Sequence, residues 1–209
     1  GLHPGHQAWW EIWSELAYRV KDTADNISNR FNAAGELNTI AGNRQPGPFW
    51  GCPTQYETDN LKRHSPGFPF PAANGVVLQK FRLVESRLPG IQEAWGLYGP
   101  GRVGSQALVG IPYLYKLRRH IDLIHYSRVW PFETSFTQTP SVTQGPFIVH
   151  AEIWPGIVKE RVQMISETHP AIIRDKAQVR AMCEWAAELD SQDFLGKFFD
   201  KPNGLNPQQ

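Results

Sequence analysis

Glu133 and Glu152 are the two acids whose surroundings most suggest chemistry. Each ends a short apolar stretch flanked by proline and aromatic residues, Arg128-Val-Trp-Pro-Phe-Glu133-Thr134 and Phe147-Ile-Val-His-Ala-Glu152-Ile-Trp-Pro155, and nineteen positions separate them. A carboxylate at the end of an apolar strand is costly unless it is paired, hydrogen-bonded or bound to a cation. Asp175, twenty-three positions beyond Glu152, opens a helical pattern. By itself it would complement the positive end of that helix. With Glu133 and Glu152 it would form a set of hard oxygen ligands for Mg2+ or Mn2+, ions that activate water and stabilise a departing phosphate oxygen. The plainer alternative pairs the glutamates with Arg128 or Arg174, or leaves them on an exposed edge.

Gly99-Pro-Gly101-Arg102-Val-Gly104 satisfies the G-x-G-x-x-G pattern. No strand pattern precedes it and no βαβ unit surrounds it, so its default role is to cap the next helix and let it pack closely. Its functional role would be phosphate binding, with unpaired N–H groups at a helix start and Arg102 beside them. His150-Ala-Glu152 resembles the histidine and glutamate of zinc nucleoside deaminases, but no Pro-Cys-x-x-Cys follows. Neither Gly-x-Ser-x-Gly nor His-Glu-x-x-His occurs, which removes the usual serine hydrolase and zincin readings. Cys52 and Cys183 are the only cysteines, too few for a disulfide framework or a four-cysteine zinc site. A reducing, cytoplasmic setting is the expectation. Cys52 beside a histidine would make a thiol nucleophile, whereas simple packing is the ordinary role of a lone cysteine.

The elements that must carry these residues follow from periodicity. His6–Val20 places Trp9, Trp10, Trp13, Leu16, Ala17 and Val20 at helical spacing. A second helix is expected over Asn26–Ile40, capped by Asp25 and stopped at Gly42, with Phe31, Ala34, Leu37 and Asn38 along it. Residues 45–71 are rich in proline and glycine yet hold Phe49, Trp50, Phe68 and Phe70, which predicts an ordered aromatic loop. Val76–Val84 is expected as an edge strand. Gly101–His120 reads as a helix with Val103, Leu108, Ile111, Leu114 and Leu117 along it, bent at Pro112. Arg174–Asp190 reads as a helix burying Val179, Met182, Cys183 and Ala186, followed by a short helix over 192–199.

The 209 residues suggest one domain over residues 1–200 and a polar tail over 201–209. No apolar run approaches the roughly 20 residues that span a bilayer, so no membrane role is expected. Net charge is only +1, but the balance is −3 over residues 1–60, +7 over 61–119 and −3 over 120–209. The basic segment 61–119 would attract nucleic acid or a nucleotide, unless it merely balances acidic neighbours.

Six segments carry a resemblance: Asp25-Asn-Ile-Ser-Asn-Arg-Phe31, Gly47-Pro-Phe-Trp-Gly-Cys-Pro53, Gly101-Arg-Val-Gly-Ser-Gln-Ala-Leu-Val-Gly-Ile-Pro112, Val129-Trp-Pro-Phe-Glu-Thr134, His150-Ala-Glu-Ile-Trp-Pro155 and Asp175-Lys-Ala-Gln-Val-Arg180. They resemble those of an uncharacterised bacterial family whose members have carried labels of cobalamin or molybdopterin biosynthesis. That family is similar to predicted nucleases with an RNase H-like fold. The resemblance implies an α/β fold, a five-stranded mixed sheet with flanking helices, and an acidic cluster for two metal ions. Glu133 and Glu152 would lie on or beside strands and Asp175 near the C-terminal helix. Relatives begin with an aspartate-bearing strand, in motifs like Asp-Trp-Ser and Asp-Phe-Pro, and neither occurs here. The expectation is therefore a sheet incomplete at the N-terminus. Three functions follow as expectations: a metal-dependent phosphodiesterase or nuclease-like hydrolase, a non-catalytic module binding nucleic acid or protein, or a cofactor-biosynthesis protein holding phosphate on the glycine turn.

Overall fold

Tryptophan and leucine spacing at the start of the chain produces α1 over Ala8–Arg19, which buries Leu16 and is followed by buried Val20. The computed structural model describes residues 8–25, 27–42, 46–142 and 145–203, so the expected helix start at His6 lies outside the described residues. The chain forms two compact units, Gly1–Arg119 and His120–Gln209, each treated by itself below, where the sequence suggested one domain over 1–200.

In the first unit, α2 runs over Arg30–Gly42 rather than from Asn26, which lies outside the described residues. Asp25 is not its cap. Asn29 closes the α1–α2 turn instead: its Oδ1 accepts the Lys21 N–H at 2.7 Å, its Nδ2 donates to the Arg19 carbonyl at 2.9 Å, and its own carbonyl accepts the Ala33 N–H at 3.0 Å. A short polar side chain that can bond the backbone of both flanking segments suits this junction.

The inner face of α2 carries Phe31, Ala33, Ala34 and Asn38. Asn38 is 0% exposed. Its Nδ2 donates to the carbonyls of Phe49 and Asn60, each at 2.8 Å, and its Oδ1 accepts the Phe49 N–H at 2.9 Å. This one carboxamide fastens the proline-rich loop to α2. Gly47 makes the approach feasible, because a Cβ there would lie 2.4 Å from the Asn38 Cβ.

The loop is ordered by its aromatic residues. Phe49 and Phe68 pack against Trp95 with ring centroids 5.2 and 6.0 Å away, and Trp95 Nε1 donates to the Gln79 carbonyl at 2.9 Å. β1, Phe70–Pro71, pairs antiparallel with β2, Val77–Leu78. The expected strand over Val76–Val84 is thus only two residues long. The Glu85 carboxylate accepts the Arg82 N–H at 2.7 Å and turns Leu83–Ser86 into the short helix α3. α4 spans Gly104–Arg118 and buries Gly104, Leu108 and Pro112, a row spaced by four. Leu114 and Leu117 are exposed. α1 packs against α4, with Leu16 and Leu108 in one core cluster and the Trp10 ring 4.7 Å from Tyr115, while Gly104 sits against residues 94–97. Leu16, Val20, Phe31, Ala33, Ala34, Cys52, Leu61, Leu97 and Leu108 form the core of this unit.

In the second unit, β3 (Ser127–Val129) and β4 (Ile148–His150) pair in parallel with Val129 opposite His150. A turn at Pro155–Val158 leads into α5, Lys159–Thr168, an element the periodicity did not reveal. α6, Arg174–Ser191, buries Ala177, Ala181 and Met182 against Val158 and Ile165. Val179 and Cys183, expected inside, face solvent. The two alanines are 0% exposed, and their small size sets the close seam that decides the inner face. The expected final helix is a 3-10 turn at Leu195–Phe199, held by the Trp130 Nε1 donating to the Phe199 carbonyl at 3.1 Å. Of the expected polar tail, residues 204–209 lie outside the described residues. Among the described residues the strands form two separate two-stranded ladders, so the chain is mixed helix and sheet, α/β at that coarse level.

Asn38→Ala would leave the Phe49 N–H and carbonyl at a buried site without partners, while the Asn60 carbonyl keeps the Gly47 N–H at 3.2 Å, and a loss of about 2–4 kcal/mol is expected from urea unfolding. Asn32→Ala, on the exposed side of α2, should change stability by less than about 0.5 kcal/mol. Equal midpoints for the two variants would refute the role given to Asn38.

Candidate functional site

Parallel pairing sends β3 and β4 out of the ladder in the same direction, and each exit carries one of the two glutamates. Glu133 lies four residues beyond Val129, and Glu152 two beyond His150. The Glu133 N–H donates to the Val129 carbonyl at 2.8 Å, and its Oε2 accepts the Val129 N–H, also at 2.8 Å. The Val129 N–H belongs to the outer edge of β3, since Trp130 N–H and Tyr126 C=O bond inward to β4. The Ser127 N–H, on the same outer edge, donates to the Leu123 carbonyl at 2.9 Å. Glu133 therefore closes an edge that would otherwise offer a donor to another strand.

Glu152 is exposed in the extended stretch between β4 and the Pro155 turn, and Asp175 is exposed in the first turn of α6. No side chain caps the start of α6, where Asp175 complements the helix charge. Among the described residues no three His, Cys, Asp or Glu side chains gather to hold a metal ion. The strand exits bring Glu133 and Glu152 to the same end of one ladder; Asp175 belongs to a different element of the same unit.

The glycine turn is built from inside. Gly99 and Gly101 adopt φ of +117° and +72°, and a Cβ on Gly104 would lie 2.4 Å from the Ala94 carbonyl oxygen. The Gly104 N–H donates to the Gly96 carbonyl at 3.0 Å and Ser105 Oγ to the Leu97 carbonyl at 2.7 Å. Arg102 folds back, its guanidinium 4.4 Å from the Trp50 ring and 3.5 Å from Glu93 Oε1. Gly96 leaves it room, because a Cβ there would sit 2.8 Å from the Arg102 Cδ. These groups hold the start of α4 against residues 94–97.

The charge of segment 61–119 has a structural cause that its composition hides. Glu85 and Glu93 are its only acids, and both are buried, at 6% and 2% exposure. Arg82 grips Glu85 through Nε at 2.8 Å and Nη2 at 2.7 Å, while Glu93 lies between Arg102 and Lys80, whose Nζ is 3.7 Å from Oε2. The charge left at the surface of this segment is positive. Arg63, Lys116 and Arg119 are exposed. At the end of α4, Lys116 Nζ stands 5.4 Å from the Tyr113 ring and the Arg119 guanidinium 5.2 Å from that of Tyr115. Tyr113 is 51% exposed, and its hydroxyl donates to Asp22 at 3.0 Å, which pushes its pKa up.

One polar pair gave no signal in the sequence. Ser127 Oγ and His150 Nε2 are 2.5 Å apart across the β3–β4 ladder. Ser127 is 0% exposed, so the pair ties the strands and offers no nucleophile to a substrate. His150 was legible only as a candidate ligand, since its diagonal partner depends on strand register. Cys52 is also unsuited to nucleophilic chemistry: it is 3% exposed, and burial pushes its thiol pKa up, which keeps it protonated near neutral pH. Alkylation by a maleimide at about pH 8 should modify Cys183 alone in the native protein and Cys52 only after unfolding in urea. Rapid native labelling of both would overturn this assignment. Compared with protein-family models, curated proteins and solved structures, the chain matches none.

Proposed function

We propose that this chain is a nucleic-acid-binding module, in keeping with the non-catalytic form of the RNase H-like resemblance, and that it holds a single strand at the end of α4. The observation that carries the reading is the burial of Glu85 and Glu93, which leaves the exposed charge of segment 61–119 positive. Lys116 and Arg119 would meet phosphates, and the exposed ring of Tyr113 beside Lys116 would take a stacked base. Both cations also complement the negative end of the helix, a role compatible with binding. Affinity for a short oligonucleotide should fall steeply with salt, by fluorescence anisotropy. Joint substitution Lys116→Gln and Arg119→Gln should weaken binding about tenfold at about 50 mM salt and reduce the slope of log K against log salt by about 1.4. Unchanged affinity and slope would refute the reading.

A second reading is a metal-dependent phosphodiesterase. It is favoured by one observation: Glu133 and Glu152 leave adjacent parallel strands at their carboxyl ends, where open sheets commonly bind ligands. With Asp175 they would hold Mg2+ or Mn2+, and a phosphodiester would be the substrate. Glu133→Gln keeps an acceptor for the Val129 N–H, so it tests metal binding without removing the edge closure. Calorimetric titration with Mn2+ should show binding that Glu133→Gln and Glu152→Gln each weaken; affinity unchanged from the native protein in both variants removes this reading. The cofactor-biosynthesis reading would need Arg102 to turn away from Trp50 and Glu93.

A further inference from the structure

We propose that a groove between α5 and α6 in the second unit binds a phosphate monoester of about mononucleotide size. This goes beyond the nucleic-acid reading and involves none of its residues. The groove has a volume of about 420 Å3, within the range of small-molecule sites. Lys159 at the start of α5 and Arg174 at the start of α6 both line it, so two cations reach it from two elements. Val162 and Ile172 give it an apolar wall and Gln178 an amide.

The two cations are poorly neutralised. Arg174 makes no ion pair among the described residues. Lys159 Nζ is 3.7 Å from Glu160 Oε1, with the two side chains 78% and 79% exposed, a geometry in which attraction is weak. Glu160 and Asp175 lie in the first turns of the same helices but do not line the groove. Neither helix has a side-chain cap, so their positive ends add to the field set by Lys159 and Arg174. Two cations lining one groove suit a dianion better than a monocarboxylate, and a phosphate monoester is dianionic near neutral pH. The apolar wall would take the uncharged body of the ligand.

The Trp154 indole lies against Gly156, which lines the groove; a Cβ at Gly156 would be 2.4 Å from its Cζ2. Its emission should therefore respond to an occupant.

Isothermal titration with adenosine 5′-monophosphate, ribose 5-phosphate, inorganic phosphate and adenosine separates the contributions. Both phosphate monoesters should bind and adenosine should not; tighter binding of the nucleotide would place its base on the apolar wall. Arg174→Gln and Lys159→Gln should each weaken binding about tenfold, with unchanged thermal midpoints, since both residues are exposed. The proposal is overturned if no phosphate probe binds below about 10 mM, if adenosine binds as tightly as its monophosphate, or if both variants bind like the wild type.

Discussion

Buried backbone donors and acceptors must find partners, and in this chain sheet ladders cannot provide them all, because the four described strands are two or three residues long. Side chains do so instead. Asn38 bonds both backbone groups of Phe49 and the carbonyl of Asn60; Asn29 joins the segments on either side of the first turn. Trp95 and Trp130 donate to the carbonyls of Gln79 and Phe199, and Glu133 accepts from Val129. Each unit keeps its long irregular segments in one conformation through such contacts. A polar residue at these positions is structural before it is anything else.

The same requirement sorts the acids. Glu85 and Glu93 are buried because arginine and lysine side chains fold over them, and their burial leaves the surface of a long segment positive. Glu133 has an oxygen engaged by the edge of β3, whereas Glu152 and Asp175 are exposed. These five carboxylates have one chemistry and very different positions. Their functional meaning therefore depends on which backbone and which cations they meet, and composition alone cannot distinguish them.

Much of the helical framework was legible. The tryptophans of α1, the apolar spacing of α4 and the pattern of α6 announced helices close to where they form. The aromatic content of the 45–71 loop announced an ordered segment. The inward faces were not legible in α4 and α6, because Leu114, Leu117, Val179 and Cys183 are as apolar as the residues that lie inside. Small Ala177 and Ala181 decided the face of α6 through close approach, and packing against α1 and residues 94–97 decided that of α4. α5 was missed because its sequence, KERVQMISET, buries only Ile165 fully and therefore shows a thin apolar stripe.

At the candidate site, residue order alone placed Glu133 and Glu152 after two short apolar stretches and gave residues 61–119 an excess of cations. It also determined that the glycine turn lacked a βαβ setting. The parallel run of the strands, the meeting of Ser127 with His150, the inward turn of Arg102 and the groove shared by Lys159 and Arg174 arise from long-range packing. The reason is physical. Residue type and period report the local preference of a segment, but register, helix rotation and the partner of a charge are set by contacts between residues far apart in the chain.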